Sequence, residues 1–213
     1  FCSNLQKMTK KERAKIVMTE LEKIYPEVPI PLNHKNAYEL LVAVALSAQT
    51  TDKKVNEVTP KLFSVAPNPQ KMAILEESEI KELIKEIGLS TTKAKNLKLM
   101  ANQLLEKHNG EVPATFEDLE NLAGVGHKTA SVVMSQAFGF PAFPVDTHIH
   151  RLMKQWKLTE GKNVVQTEND AKKLFPKETW NKLHLQIIFY GREYSPARGN
   201  QERDYITKIL FEG

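Results

Sequence analysis

The chain has 213 residues, 41% of them apolar and 26% charged, with a formal net charge of +4 and a pI near 9.0. This composition excludes a disordered chain and fits one or two globular domains around a substantial core, with a mild basicity that suits a polyanionic partner without requiring one. Cys2 is the only cysteine, which excludes an internal disulfide, a thiolate zinc site and a four-cysteine iron–sulfur cluster within the chain. The longest apolar run, Leu40 to Ala48 with Ser47 inside it, is too short to cross a bilayer, and the N-terminal stretch lacks the apolar core of a secretion signal. A cytoplasmic protein with no membrane partner is the expectation.

Helical periodicity runs through almost the whole chain. Ala14, Val17, Leu21, Ile24 and Tyr25 recur at spacings of three and four up to Pro26, which predicts an amphipathic first helix. A connection marked by Pro29 and Pro31 leads to an apolar helix over 37–48, and Asp52 reads as the cap of the next, running toward Phe63. Ile80, Leu83, Ile84 and Ile87 form a stripe stopped by Gly88, and Ala94, Leu97, Ala101, Leu104 and Leu105 form another. On that second helix Lys93, Lys95 and Lys98 read either as a solvated face or as contacts to phosphates. After a turn over 110–113, a short helix through Phe116 and Leu119 reaches Leu122, and a tight turn passes into a helix ending at Phe138 and Gly139. Further helices are predicted over 146–157, 163–175, 179–190 and 204–211. With no alternating strand pattern and no repeat, the fold class is all-α.

The turn Leu122-Ala123-Gly124-Val125-Gly126-His127-Lys128-Thr129-Ala130 places two glycines before a helix that opens with His127 and Lys128. Lysine is the wrong charge for the positive end of a helix, where Asp and Glu are favoured. An amine held there, and partly out of water, is pushed toward its unprotonated form, which is what a covalent nucleophile needs. Lys128 is therefore the candidate nucleophile. The backbone amides of the glycine turn and helix start form an anion site suited to a nucleic-acid phosphate. The plain alternative is an ordinary helix-to-helix turn followed by a surface lysine.

Asp146, in Val145-Asp146-Thr147-His148-Ile149-His150-Arg151, supplies a second chemical group. A helix of about twelve residues carries the chain roughly 18 Å from Lys128. The connection 139–145, extended by Pro141 and Pro144, is long enough at about 3.3 Å per residue to return it. The aspartate and the lysine are thus expected to share a cleft, where the carboxylate takes a proton from the amine or stabilises charge developing on a sugar. Capping of the following helix is the other role open to Asp146, and the two are compatible.

Together with Leu46-Ser47-Ala48-Gln49-Thr50-Thr51-Asp52, these strings resemble the endonuclease III family of helix-hairpin-helix DNA glycosylases. Ile87-Gly88-Leu89, His108-Asn109-Gly110-Glu111-Val112-Pro113 and Gly161-Lys162-Asn163-Val164 extend the resemblance in order from about Asn33 to Arg192. It implies a two-domain all-α fold: a six-helix barrel domain over 30–140, a second helical domain from 1–29 and 141–213, and a DNA-binding cleft between them. It also implies a monomeric base-excision repair enzyme, a glycosylase with abasic-site lyase activity on oxidised or ring-saturated pyrimidines in double-stranded DNA. Lys128 matches the family's nucleophile and Asp146 its catalytic carboxylate, while Gly124, Val125 and Gly126 match the phosphate-holding hairpin. Gln49 matches the residue that fills the gap left by an everted base, and Leu89 the wedge. Without the family, Gln49 reads as a helix-end polar residue and Leu89 as a hydrophobic contact just past a cap at Gly88. His127 stands where relatives often carry arginine, so a phosphate contact there would depend on pH. His148 reads either as a phosphate or orienting contact or as a locally bonded histidine.

The resemblance breaks at the C-terminal end. Where relatives begin a four-cysteine iron–sulfur loop after the Gly-Arg matching Gly191-Arg192, this chain reads Glu193-Tyr194-Ser195-Pro196-Ala197-Arg198-Gly199-Asn200, with no cysteine. No cofactor or metal is expected, and the segment 201–211 is expected to pack back as a helix that offsets part of the lost anchoring. Two competing readings remain: a non-catalytic helix-hairpin-helix module that binds DNA backbone, and a glycosylase of the 8-oxoguanine branch.

Overall fold

Short polar side chains set most of the helix starts. In the computed structural model, which describes residues 7–212, Thr9, Asn36, Thr51, Asn68, Thr115, Asp146, Asn163 and Asp204 each accept a hydrogen bond from a backbone N–H three residues further on. These caps satisfy amides that the helix itself leaves without partners. The described residues are otherwise helices and turns, and no helix among them is long and apolar enough to cross a membrane. Cys2 lies outside the described residues.

The chain divides into two units, one over 30–140 and one from the residues up to Pro29 with those from Pro141 onward. The first holds α2 (Ala37–Leu46), α3 (Asp52–Val65), α4 (Pro69–Ile74), α5 (Glu77–Leu83), α6 (Ser90–His108), α7 (Phe116–Glu120) and α8 (His127–Phe138). Its centre is α2, whose Leu40, Leu41, Val42, Ala43 and Leu46 are all fully buried. A helix that is apolar on every side needs neighbours on every side. Here α3, α6 and α8 supply them, with Val55, Leu62, Met100, Leu104, Ala130 and Val133 completing one core.

The second unit holds α1 (Lys10–Ile24), α9 (Thr147–Gln155), α10 (Val164–Leu174), a short 3₁₀ turn, α11 (Trp180–Glu193) and α12 (Tyr205–Phe211). Ala14, Val17 and Leu21 of α1, the apolar stripe read from the sequence, meet Leu152, Trp156, Ile187, Tyr190 and Ile206 in a separate core.

Several elements depart from expectation. The first unit contains seven helices, the extra one being α4, six residues long and opened by an Asn68 cap with Pro69 in its first turn. Thr51, not Asp52, caps α3: its hydroxyl accepts from Lys54 N at 3.1 Å, and Asp52 occupies the first turn, where its charge suits the helix end. Helix α5 stops at Leu83 and the chain turns through Ile84 to Ile87, so Gly88 is not its cap. The last helix begins only at Tyr205, because residues 201–204 form a turn that delivers Asp204 to its cap.

Candidate DNA-repair site

Within the 30–140 unit, α7 and α8 form a helical hairpin pinned from below by Leu119, Leu122 and Val125, all buried. Val125 N donates to Leu122 O at 3.2 Å, closing the turn. Gly124 has φ +76°, and a Cβ there would lie 3.1 Å from Cβ of Asn96, so both backbone and space require glycine. Gly126 is different. Its backbone is extended, with φ −95° and ψ −175°, and nothing lies within 4 Å of where a side chain would start. The fold does not need glycine at 126. Gly126 is also the N-cap of α8 and offers no capping side chain, so no side chain of the cap accepts from the first-turn amides.

Lys128, the second residue of α8, is exposed. This corrects the expectation of partial burial: the described residues leave Lys128 open to water. His127 is tied down: its Nδ1 lies 3.0 Å from Glu120 Oε1, and its ring stacks on Phe116 at 5.7 Å between centroids.

Gln49 and Leu89 share a rare backbone state. Both are exposed and left-handed, with φ 60° and 61°, among four non-glycine residues with positive φ in the described chain. A leucine held that way costs about 1–2 kcal/mol, and such strain collects where geometry serves a function. Leu89 is also 55% exposed, so the reading of it as a packed contact past a helix cap fails; it is itself the N-cap of α6. The turn carrying Gln49 and the turn carrying Leu89 border one small apolar cavity of about 150 Å³, lined by Ala48, Leu89, Thr92, Lys93, Asn96 and Gly124 among others.

Two of the lysines read as a solvated or phosphate-facing row are neither. Lys93 is buried and donates to Leu46 O at 3.0 Å and Ala48 O at 2.7 Å, and Lys98 donates to Ala73 O and Leu75 O. Each caps the carbonyl end of another helix, α2 and α4 respectively. Burial pushes the Lys93 ammonium below its ordinary pKa. Lys95 remains exposed.

In the second unit Asp146 caps α9, its Oδ1 accepting from Ile149 N at 2.8 Å. His148 packs where a Cβ on Gly191 would come within 3.1 Å of its own Cβ, so Gly191 lets α11 lie close to α9. Nη2 of Arg151 donates to Ser195 O at 2.6 Å and to His148 Nδ1 at 3.3 Å, while its Nη1 is buried with no acceptor among the described residues.

Ser195 is fully buried, and its hydroxyl donates to Asp204 Oδ2 at 2.9 Å. Asp204, 3% exposed, also accepts from Tyr190 Oη at 2.6 Å, Gln155 Nε2 at 2.8 Å, and Thr207 Oγ1 at 2.8 Å and N at 3.2 Å. This segment does not fit an iron–sulfur cluster. Its one buried candidate ligand is a hydroxyl already committed to a carboxylate, and no sulfur lies in the chain after Met153. No grouping of three or more metal-ligating His, Cys, Asp or Glu side chains occurs among the described residues.

Residues 42–177 match the description "HhH-GPD superfamily base excision DNA repair protein", and the chain belongs to that superfamily. Endonuclease III of Haemophilus influenzae is 45% identical over 205 residues, covering 96% of this chain and 97% of that protein; endonuclease III of Escherichia coli K12 is 44% identical over the same shares. A trapped endonuclease III–DNA covalent intermediate superimposes with a TM-score of 0.88 at 39% identity, over 91% of this chain and 92% of that one. A non-covalent endonuclease III–DNA complex gives 0.89 at 36%, over 97% and 100%. Within the superfamily the chain is thus a member of the endonuclease III family, a DNA glycosylase with abasic-site lyase activity.

Proposed function

We propose that the chain removes oxidised or ring-saturated pyrimidines from double-stranded DNA and then cuts the strand, with Lys128 as nucleophile and Asp146 as its carboxylate partner. The observation that carries the reading is an exposed lysine in the first turn of a helix that has no capping side chain, directly after a turn whose second glycine the fold does not require. The hairpin amides at 124–126 hold a phosphate of the damaged strand. Gln49 fills the gap left by the everted nucleotide and Leu89 wedges the opened step, a use that suits two exposed side chains on strained turns. His127 and His148 are assigned to the DNA-facing surface.

Chemically, the Lys128 ammonium loses a proton, assigned to Asp146, and the free amine forms a bond to C1′ as the N-glycosidic bond breaks and the base leaves with its electron pair and a proton. Ring opening gives a Schiff base. Loss of a C2′ proton then expels the 3′ phosphate by β-elimination, and water releases Lys128 from the imine. The enzyme needs no cofactor for these steps, and we assign it none. A monomer acting on chromosomal DNA in the cytoplasm completes the proposal.

Borohydride reduction on abasic-site DNA tests it. A covalent adduct mapped by peptide mass to Lys128, and lost in Lys128→Ala, is the expected result; no adduct from either protein would leave a DNA-binding module instead. Faster excision of thymine glycol than of 8-oxoguanine opposite cytosine is expected, and the reverse order would move the enzyme to the 8-oxoguanine branch.

A further inference from the structure

Lys93 occupies the first turn of α6, where the helix end disfavours a cation, yet it is only 7% exposed. Its ammonium is held by the carbonyls of Leu46 and Ala48, at the far end of α2, where a helix has acceptors to spare and favours positive charge. The same residue closes the turn behind Leu89, since Lys93 N donates to Leu89 O at 2.9 Å. One residue therefore links the two, its side chain bonding the segment leading into Gln49 and its backbone N–H the turn that begins with Leu89. The rest of the Gln49 turn is braced locally, Ser47 Oγ donating to Val44 O at 2.7 Å and Thr50 N to Ser47 O at 3.2 Å. Packing alone would be served by Met or Leu at this position, without the desolvation that a buried cation carries. The expense is explained if the spacing of the two turns matters.

We propose that Lys93 is a positioning residue for base eversion, its buried ammonium fixing the Gln49 turn against the Leu89 turn so that both side chains enter the same opened base step. This rests on the reading of Gln49 and Leu89 given above. Lys93 touches no substrate and takes no part in the chemistry at C1′.

The test uses the full-length enzyme and a duplex with 2-aminopurine opposite a stable abasic analogue, where emission reports filling of the gap. Lys93→Met keeps the stem and removes the donor. Its emission change on binding is expected to be largely lost, and its excision of thymine glycol from duplex to slow about 10- to 100-fold, the scale of a misplacement near 1 Å. Borohydride trapping on single-stranded abasic DNA, which has no gap to fill, is expected to fall several-fold less. Lys93→Arg, with two donors for the same carbonyls, is expected to recover part of both signals, and it carries the test should the methionine variant lack a cooperative melt. Wild-type emission and excision in Lys93→Met, alongside losses in Gln49→Ala, would overturn the proposal, as would equal losses on duplex and single strand or an Arg variant no better than Met. An unchanged signal in Gln49→Ala would instead overturn the assignment of Gln49.

Discussion

Replacing Asp204 by alanine should destabilise the unit that contains it by about 3–5 kcal/mol, the usual cost of removing one partner from a buried charged network. The carboxylate accepts five hydrogen bonds at 2.6–3.2 Å from four side chains and one backbone amide, and it is 3% exposed. Hydrogen bonds to a charged group contribute about 1.5–3 kcal/mol each but do not add, because the donors share one acceptor. Without it the Ser195 hydroxyl has no acceptor, and α12 loses its cap. For a domain arrangement of this size, 1 kcal/mol moves the melting temperature by about 2–4 °C, so a fall of roughly 10 °C in the first calorimetric transition is expected. Asp204→Asn should cost nearly as much, since an amide NH₂ would face donors from Ser195, Gln155 and Thr207. A shift under about 2 °C in both variants would show that the network does not anchor the C-terminal segment.

The two hairpin glycines should respond in opposite senses. Gly126→Ser adds a capping hydroxyl where the backbone already suits one, raising stability by a few tenths of a kcal/mol while weakening DNA binding as measured by filtration or anisotropy. Gly124→Ala should lower stability by about 1–2 kcal/mol, from the left-handed backbone and the push against Asn96; equal DNA affinity in Gly126→Ser would remove the hairpin from the interface. Burial holds the His184 imidazole down at about 4 from 6.5. Because the unfolded chain binds that proton first, stability should fall as pH drops from 6.5 toward 4, by about 3 kcal/mol in all. Between pH 6.5 and 4.5 this loss precedes the carboxylates, and denaturation of His184→Gln should show a flatter slope there; an unchanged slope would refute it.

The long helices were legible because their apolar positions repeat and their caps are local: Thr9, Asn36 and Asn163 each act on an amide three residues away. The hairpin was legible for the same reason, as was the break in the resemblance at Ser195. Lys93 and Lys98 were not. Lys93 is buried and Lys98 half-buried because they bond carbonyls 45 to 47 and 23 to 25 positions away in the chain, and periodicity carries no record of such partners. Yet Lys93 carries the same wrong-charge signature as Lys128, a cation at a helix start. The short α4 had a visible signal in Asn68-Pro69 but too few residues for a stripe. The five-donor cluster on Asp204 joins α9, α11 and α12, and no local pattern announces it.

Helix α1 belongs with α12, far along the chain. Ala14, Val17 and Leu21 find their partners on residues from Phe143 to Leu210, while residues 30–140 close a core among themselves. At about 5–20 residues per second, the ribosome leaves α1 waiting roughly 10–40 s with its apolar stripe uncovered. The intervening unit is free to fold in that interval. A nascent chain with residues up to about 140 already outside the ribosome would thus carry a finished interior and one helix whose apolar stripe has no cover.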